Sequence, residues 1–344
     1  MMVTSIDDAC AQVVAYKEGV HIKGTLLWFD ALECHDVSLL STFPTKRLPR
    51  HGSHLITSNG VARLLASRRR VPMNYSVPIV SEYFRPFSIG PHTIEFLPGG
   101  CCLGQASIWV QSRDDLSFLY APSSMPSSYS LVHQSALKRS NVLILSASCA
   151  DLSYVIPQKT QQLDALASCL REHYKEHGKY PVVVCKALGV AQEIIHHLSD
   201  FEISLYSSIY GVSQVYQECG ISLPSFKRFQ PSHRGAKVVL APFTTLSRLK
   251  ALAMKQSSLY FVAHNHAAYT EYKKLDVFAK HFLVNTESTQ EDLYQTIQEV
   301  KPDKVVITGT YISHYMETFK GLGVPLSPAY MNNQPTLFDL SQFM

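Results

Sequence analysis

Apolar and polar residues follow one another along the chain in two different rhythms. Short, almost wholly apolar runs at 37–40, 142–145 and 182–185 have the composition of buried strands. Residues 160–177 instead carry leucines about every 3.6 residues, which is typical of an amphipathic helix. A chain that combines both rhythms predicts an α/β (α+β) fold.

The order of the predicted elements changes near residue 154. Before it, predicted strands at 106–111 and 116–120 follow each other across a turn, as in a hairpin. After it, strands and helices alternate, which is typical of a small α/β unit. From residue 327 the chain is polar and contains two prolines, so we predict a tail there.

Composition narrows the class of protein without selecting a function. The chain has 344 residues, of which 46% are apolar and 17% charged, so it can bury a sizeable core. The formal charge of +4 permits contact with nucleic acid but does not argue for it. Eight scattered cysteines, the absence of an N-terminal signal pattern and the lack of a long apolar run predict a cytoplasmic protein with free thiols and no membrane span.

Five short segments carry a resemblance to a known family. The segments are 52–56 (GSHLI), 97–106 (LPGGCCLGQA), 142–148 (VLILSAS), 187–193 (ALGVAQE) and 305–309 (VVITG). In this order and with these gaps, the chain resembles the metallo-β-lactamase-fold nucleases with a β-CASP insertion. Within that family, it is most similar to the bacterial DNA-ligase-associated exonucleases (mRNA 3′-end processing factor-like), over roughly residues 15–330.

The resemblance implies an architecture. Residues 1–153 and 272–326 are expected to form a four-layer αββα metallo-β-lactamase-like sandwich. Residues 154–271 are expected to form an inserted β-CASP-like α/β domain, and 327–344 a flexible C-terminal tail.

The positions that hold metal ions in the family carry other residues in this chain. A gap-free match of the family's Ser/Thr-His-x-His-x-Asp-His loop falls on 41–47 (STFPTKR). Single positions in five further motifs are also replaced. Taken together, the replaced positions are Thr42, Pro44, Lys46, Arg47, Cys101, Pro122, Ala147, Glu287 and Gly309.

These replacements predict the loss of the family's chemistry. A two-metal hydrolase needs imidazole and carboxylate ligands around ions about 3.5–4 Å apart. Thr42 and Pro44 offer zinc no useful ligand. Lys46 and Arg47 would repel a cation by roughly 4 kcal/mol per unit-charge pair at 4 Å and an effective dielectric of 20. We therefore predict a catalytically inactive protein without a metal cofactor.

Two active alternatives stay open. A relocated site holding zinc or manganese would make the protein a metal-dependent DNA or RNA exonuclease. Its remaining candidate donors are His51, His54, Cys101, Cys102, Glu287 and His314. Cys101 is also a candidate nucleophile with a histidine base, although the glycine turn favours Cys101 and Cys102 as small buried apolar residues.

Two further stretches predict partners. Lys46, Arg47 and Arg50 form a basic cluster that can hold DNA phosphates. In the tail, Gln334, Leu337 and Phe338 resemble the Gln-x-x-Leu-Phe peptide that binds the bacterial sliding clamp. We therefore predict a scaffold for DNA repair or replication, tethered to the clamp. The alternatives are that these tail side chains pack on the body of the protein, or that the chain is a structural partner of an active paralogue.

Overall fold

A computed structural model describes most of the chain. The described residues are 13–16, 19–31, 35–44, 54–67, 78–125, 131–147, 155–177, 180–230, 238–245, 258–309 and 311–331. Lys46, Arg47, Arg50, His51 and the predicted clamp-binding residues Gln334, Leu337 and Phe338 lie outside them. Over the described part, the fold is mixed α/β, as the sequence predicted.

The elements are named in chain order. The strands are β1 (Val13–Tyr16), β2 (Gly19–Ile22), β3 (Leu27–Phe29), β4 (Val37–Leu40), β5 (His54–Ser58), β6 (Ile79–Ser81), β7 (Phe87–Ile89), β8 (His92–Pro98), β9 (Ala106–Gln111), β10 (Ser117–Ala121), β11 (Val142–Ala147), β12 (Val182–Cys185), β13 (Ile203–Leu205), β14 (Phe226–Arg228), β15 (Val238–Pro242), β16 (Leu259–Ala263), β17 (Lys280–Leu283), β18 (Lys304–Gly309), β19 (Leu326–Pro328) and β20 (Tyr330–Met331). The helices are α1 (Asn59–Ser67), α2 (Lys159–His177), α3 (Val190–His197), α4 (Ser207–Glu218), α5 (His266–Tyr272), α6 (Gln290–Val300) and α7 (Ile312–Thr318).

Two mixed sheets share one core. The first sheet has the order β20-β1-β2-β3-β4-β5-β6, and the second has the order β19-β18-β11-β10-β9-β8-β7. Phe29 and Leu39 from the first sheet pack with Phe96, Ile108 and Ile144 from the second, all of them buried. Burial of this apolar surface is the main force that holds the two sheets together.

Helices cover the outer faces of this sheet pair. On the first sheet, Val61 and Leu64 of α1 belong to a buried cluster that also contains Leu40 of β4. On the second sheet, Leu293 of α6 and Tyr315 of α7 belong to another buried cluster. The α6 helix is closed at its start by Thr289, whose hydroxyl accepts the backbone N–H of Asp292 at 3.1 Å.

The third sheet is parallel throughout, in the order β14-β13-β15-β12-β16-β17. Its central strands β12, β15 and β16 are buried over their whole length, as expected where both faces of a parallel sheet are covered. The helix α3 packs on one face, in the cluster that also contains Leu40 and Val61, and α5 packs on the other.

The described strands depart from two predicted boundaries. The predicted return to the first unit at residue 272 is too early, because β17 pairs in parallel with β16 of the third sheet. The predicted tail also begins later than residue 327, since β19 pairs with β18 and β20 pairs with β1. Pro328 is compatible with a strand at this position because β19 is at the sheet edge, and the next N–H, of Ala329, donates to Ile307 O at 2.8 Å.

Candidate functional site

A cleft of about 460 Å³ lies where the carboxyl ends of strands from all three sheets meet. Its lining residues follow or end β3, β4, β10, β11, β12 and β17, and the loop between β8 and β9 completes it. The lining residues are Asp30, Leu40, Thr42, Phe43, Pro44, Cys101, Cys102, Gln105, Tyr120, Pro122, Ser123, Ser146, Lys186, Thr286, Glu287 and Ser288. We call the residues from the first two sheets the sheet-pair wall, and Lys186, Thr286 and Glu287 the third-sheet wall.

The cleft brings together most of the positions singled out in the sequence. Thr42, Pro44, Cys101, Pro122 and Glu287 all line it. Gly309 is the last residue of β18 and pairs with Ala147, so it lies at the same strand edge but outside the lining. Residues Lys46, Arg47 and Arg50 fall outside the described part of the chain.

Asp30 is a cleft residue that the sequence analysis missed. Its Oδ1 accepts the Ser41 N–H at 2.7 Å, and its Oδ2 accepts the hydroxyls of Ser41 at 2.5 Å and Tyr120 at 3.0 Å. Burial raises the pKa of this carboxyl, and these hydrogen bonds oppose that rise. Asp30 thereby fixes the turn that carries Thr42 and Pro44. A detectable signal was present, because Asp30 is an aspartate that directly follows an apolar strand.

Of the two cleft cysteines, Cys101 is buried and Cys102 is partly buried. The sulfur of Cys101 lies 3.2 Å from Ser123 Oγ, and burial raises the pKa of Cys101 well above its usual range. Burial also raises the pKa of Cys102 to about 11, against the opposing effects of Lys186 and Thr42. Because the thiolate is both the nucleophile and the metal ligand, neither cysteine is poised for such chemistry.

Glu287 is held by residues that follow β16. Its Oε2 accepts the Asn265 amide N–H at 2.9 Å, and its Oε1 lies 3.6 Å from His264 Nε2. Burial, aided by the nearby Lys186, lowers the pKa of His264 to about 4. His264 is therefore neutral at pH 7, and its contact with Glu287 is not an ion pair. The sequence analysis gave His264 and Asn265 no role, because their proximity to Glu287 depends on the pairing of β16 with β17.

A glycine turn before a helix can present backbone N–H groups to an anion. At the start of α3, two of these groups already have acceptors within the protein. Gly189 adopts φ 85°, and its backbone N–H donates to the side chain of Gln192 at 2.8 Å. The backbone N–H of Ala191, two residues further along, donates to Lys186 O at 3.2 Å. These two donors are therefore occupied within the protein.

The described side chains that line the cleft do not fit a two-metal centre. Among the described residues, no group of three or more His, Cys, Asp or Glu side chains is arranged to hold a metal ion. Asp30 has its oxygens engaged by hydrogen bonds, and the thiols of Cys101 and Cys102 are protonated at neutral pH. The other candidate donors in the described part, His54 and His314, do not line the cleft.

Comparison with known proteins gives one distant similarity to report. The chain is 21% identical over 321 residues to a protein of Opitutus terrae named "Probable DNA ligase", a match that covers 90% of this chain and 30% of that protein. This chain therefore spans less than a third of the length of that relative. No family model matches the chain. In the part of the chain that the structure describes, no helix has the length and apolar character needed to cross a membrane.

Proposed function

We propose that this protein is a DNA-associated, catalytically inactive relative of the metallo-β-lactamase-fold nucleases with a β-CASP insertion. The observation that carries the proposal is that five of the replaced metal positions line one cleft. A DNA-processing role is supported by the similarity to a protein named "Probable DNA ligase". We propose a role in DNA repair or replication.

The proposed fold is a four-layer αββα sandwich with an α/β insertion. It is supported by two sheets that share a core and have helices on their outer faces. The parallel third sheet, built from strands between β11 and β18, supports the insertion. In this proposal the insertion extends to the end of β17 rather than to residue 271.

The proposed inactivity rests on side-chain chemistry. Threonine and proline at 42 and 44 replace ligands that zinc requires, and Cys101 replaces an imidazole with a protonated thiol. A two-metal mechanism needs several ionised or imidazole ligands at once, and this cleft supplies few. We therefore propose that the protein has no metal cofactor.

DNA contact is proposed to come from charge. Lys46, Arg47 and Arg50 follow Pro44 closely in the sequence, and Pro44 lines the cleft. Cations in such a cluster would hold phosphates through counterion release, without reading the base sequence. In the tail, Gln334, Leu337 and Phe338 are proposed to bind the sliding clamp as an extended peptide.

The direct test combines metal analysis, DNA binding and DNA degradation on the purified full chain. We expect no stoichiometric zinc or manganese, salt-sensitive binding of a fluorescent oligonucleotide, and no degradation when either metal is added. A variant with Lys46, Arg47 and Arg50 changed to Ala should bind DNA at least about tenfold more weakly. Bound metal together with DNA or RNA degradation would establish the active exonuclease instead.

The clamp part of the proposal has its own test. Changing Gln334 and Phe338 to Ala should abolish binding to a purified bacterial sliding clamp while leaving DNA binding unchanged. Full retention of clamp binding by this variant would exclude the tail peptide as the tether.

A further inference from the structure

The cleft also includes the point in the third sheet where the connections of two neighbouring strands diverge to opposite faces. The neighbouring parallel strands β12 and β16 continue into α3 and α5, which pack on opposite faces of the sheet. In open α/β sheets, ligands bind in the crevice outside the carboxyl ends of two strands whose connections diverge in this way. Lys186 follows β12 directly, and His264 follows β16 directly, so both residues lie at this crevice.

Lys186 is the one lysine or arginine among the described residues that line the cleft. It is half-buried, and no hydrogen bond or ion pair joins its ammonium group to another described residue. The nearest carboxylate on the same wall, Glu287, directs its two oxygens to Asn265 and His264. Partial burial of an ammonium group without a counter-charge is unfavourable, so this position suits an anionic ligand.

We propose that Lys186 binds a phosphate group in this crevice. The hydroxyl side chains of Thr42, Ser123 and Thr286 also line the cleft and are neutral groups of the kind that contact phosphate oxygens in nucleic-acid complexes. That the phosphate belongs to a DNA strand rests on the proposed function. The phosphate chemistry rests on the crevice itself.

The test compares three variants of the full chain. Lys186→Met removes the charge and keeps the apolar stem, Lys186→Arg keeps the charge, and Lys227→Met removes a matched charge from the exposed edge strand β14. Binding of inorganic phosphate is measured by titration calorimetry. Binding of a fluorescent single-stranded oligonucleotide, with and without a 5′-phosphate, is measured by anisotropy over a salt series. Thermal unfolding checks that all variants are folded.

We expect Lys186→Met to weaken phosphate binding at least about tenfold, with Lys186→Arg and Lys227→Met close to the wild type. The salt dependence of DNA binding should fall by about 0.7 in log–log slope, the value for one contact to a single strand. If the effect requires the 5′-phosphate, the ligand is a strand end. If it does not, the ligand is a backbone phosphodiester.

Two results separate this inference from the proposed function. Phosphate and DNA binding by Lys186→Met at wild-type strength would overturn the role of Lys186, even if the protein binds DNA through Lys46, Arg47 and Arg50. Phosphate binding that depends on Lys186, in a protein that binds no DNA, would support the crevice and overturn the proposed function.

Discussion

The two walls of the cleft differ in how their polar groups are satisfied. On the sheet-pair wall, the carboxylate of Asp30 accepts three hydrogen bonds from Ser41 and Tyr120, and the thiol of Cys101 contacts Ser123. On the third-sheet wall, Glu287 is held by two neighbours, but Lys186 has no partner among the described residues. The polar groups of the sheet-pair wall therefore bind one another, whereas the third-sheet wall carries a charge that has no partner among the described residues.

From this difference we infer that the polar residues of the sheet-pair wall stabilise the fold, whereas Lys186 serves to bind a ligand. Polar groups that satisfy each other stabilise a fold, and removing one member leaves its partners buried and unpaired. A cation left without a partner adds nothing comparable to stability and is available to a ligand. We therefore expect substitutions on the sheet-pair wall to lower stability, and substitution of Lys186 to change binding.

The largest effect is expected at Asp30. Replacing Asp30 with Ala leaves the N–H and hydroxyl of buried Ser41 and the hydroxyl of buried Tyr120 without their acceptor. At about 1–3 kcal/mol for each unsatisfied buried group, we expect a loss of at least about 3 kcal/mol in the free energy of unfolding. Urea unfolding followed by circular dichroism measures it, and Asp276→Ala at an exposed position is the control. A loss under about 1 kcal/mol would show that the hydrogen bonds of Asp30 do not stabilise the sheet-pair wall.

We expect the stability of the protein to depend on pH through His264, which contacts Glu287 of the third-sheet wall. The pKa of His264 is about 4 in the folded protein and about 6.5 in an unfolded chain. The folded state therefore binds this proton less readily, so its contribution to stability is complete above pH 6.5 and is lost as the pH falls toward 4. The loss amounts to at most about 3 kcal/mol.

The variant His264→Gln isolates this contribution. Between pH 7 and pH 4, its free energy of unfolding should fall less steeply than that of the wild type, as measured by urea titrations at each pH. The same substitution at His314, an exposed histidine on α7, is the matched control. Identical pH slopes for the wild type and His264→Gln would show that His264 is not buried in its neutral form.

Sequence patterns predicted the strands better than their assembly. The run 182–185 coincides with β12 because a central parallel strand is apolar on both faces and needs no knowledge of its neighbours. The membership of β17 in the third sheet was missed, since four residues carry no signal of which strand they pair with. The two-residue strand β20 is equally invisible, because its partner β1 lies at the other end of the chain.

The same limit applies to the cleft: individual residues could be predicted from sequence motifs, but their arrangement in space could not. Thr42, Pro44, Cys101, Pro122 and Glu287 were found as positions in separate motifs, and the structure brings them to one cleft. The position of Lys186, on the same wall as Glu287 and across the cleft from the other four, depends on strand order in the third sheet and on the faces to which α3 and α5 connect. No local pattern encodes that order, so neither Lys186 nor its neighbour His264 was assigned a role from sequence.

The smallest effect concerns a hydrogen bond between a helix of the third-sheet unit and the loop between β8 and β9. Tyr216 of α4 is buried, and its hydroxyl accepts the backbone N–H of Leu103, in the loop that carries Cys101 and Cys102, at 3.1 Å. Replacing Tyr216 with Phe leaves that N–H unpaired, and we expect a loss of about 1–2 kcal/mol in the free energy of unfolding.

Tyr210→Phe, on the same helix, is the matched control, since among the described residues the Tyr210 hydroxyl makes one long contact, of 3.4 Å, with exposed Gln214. Its effect should stay within about 0.5 kcal/mol. If Tyr216→Phe also weakens phosphate binding by the wild-type Lys186, the spacing of the two walls sets the affinity. If stability falls while phosphate binding is unchanged, the third-sheet wall binds its ligand independently of the wall opposite.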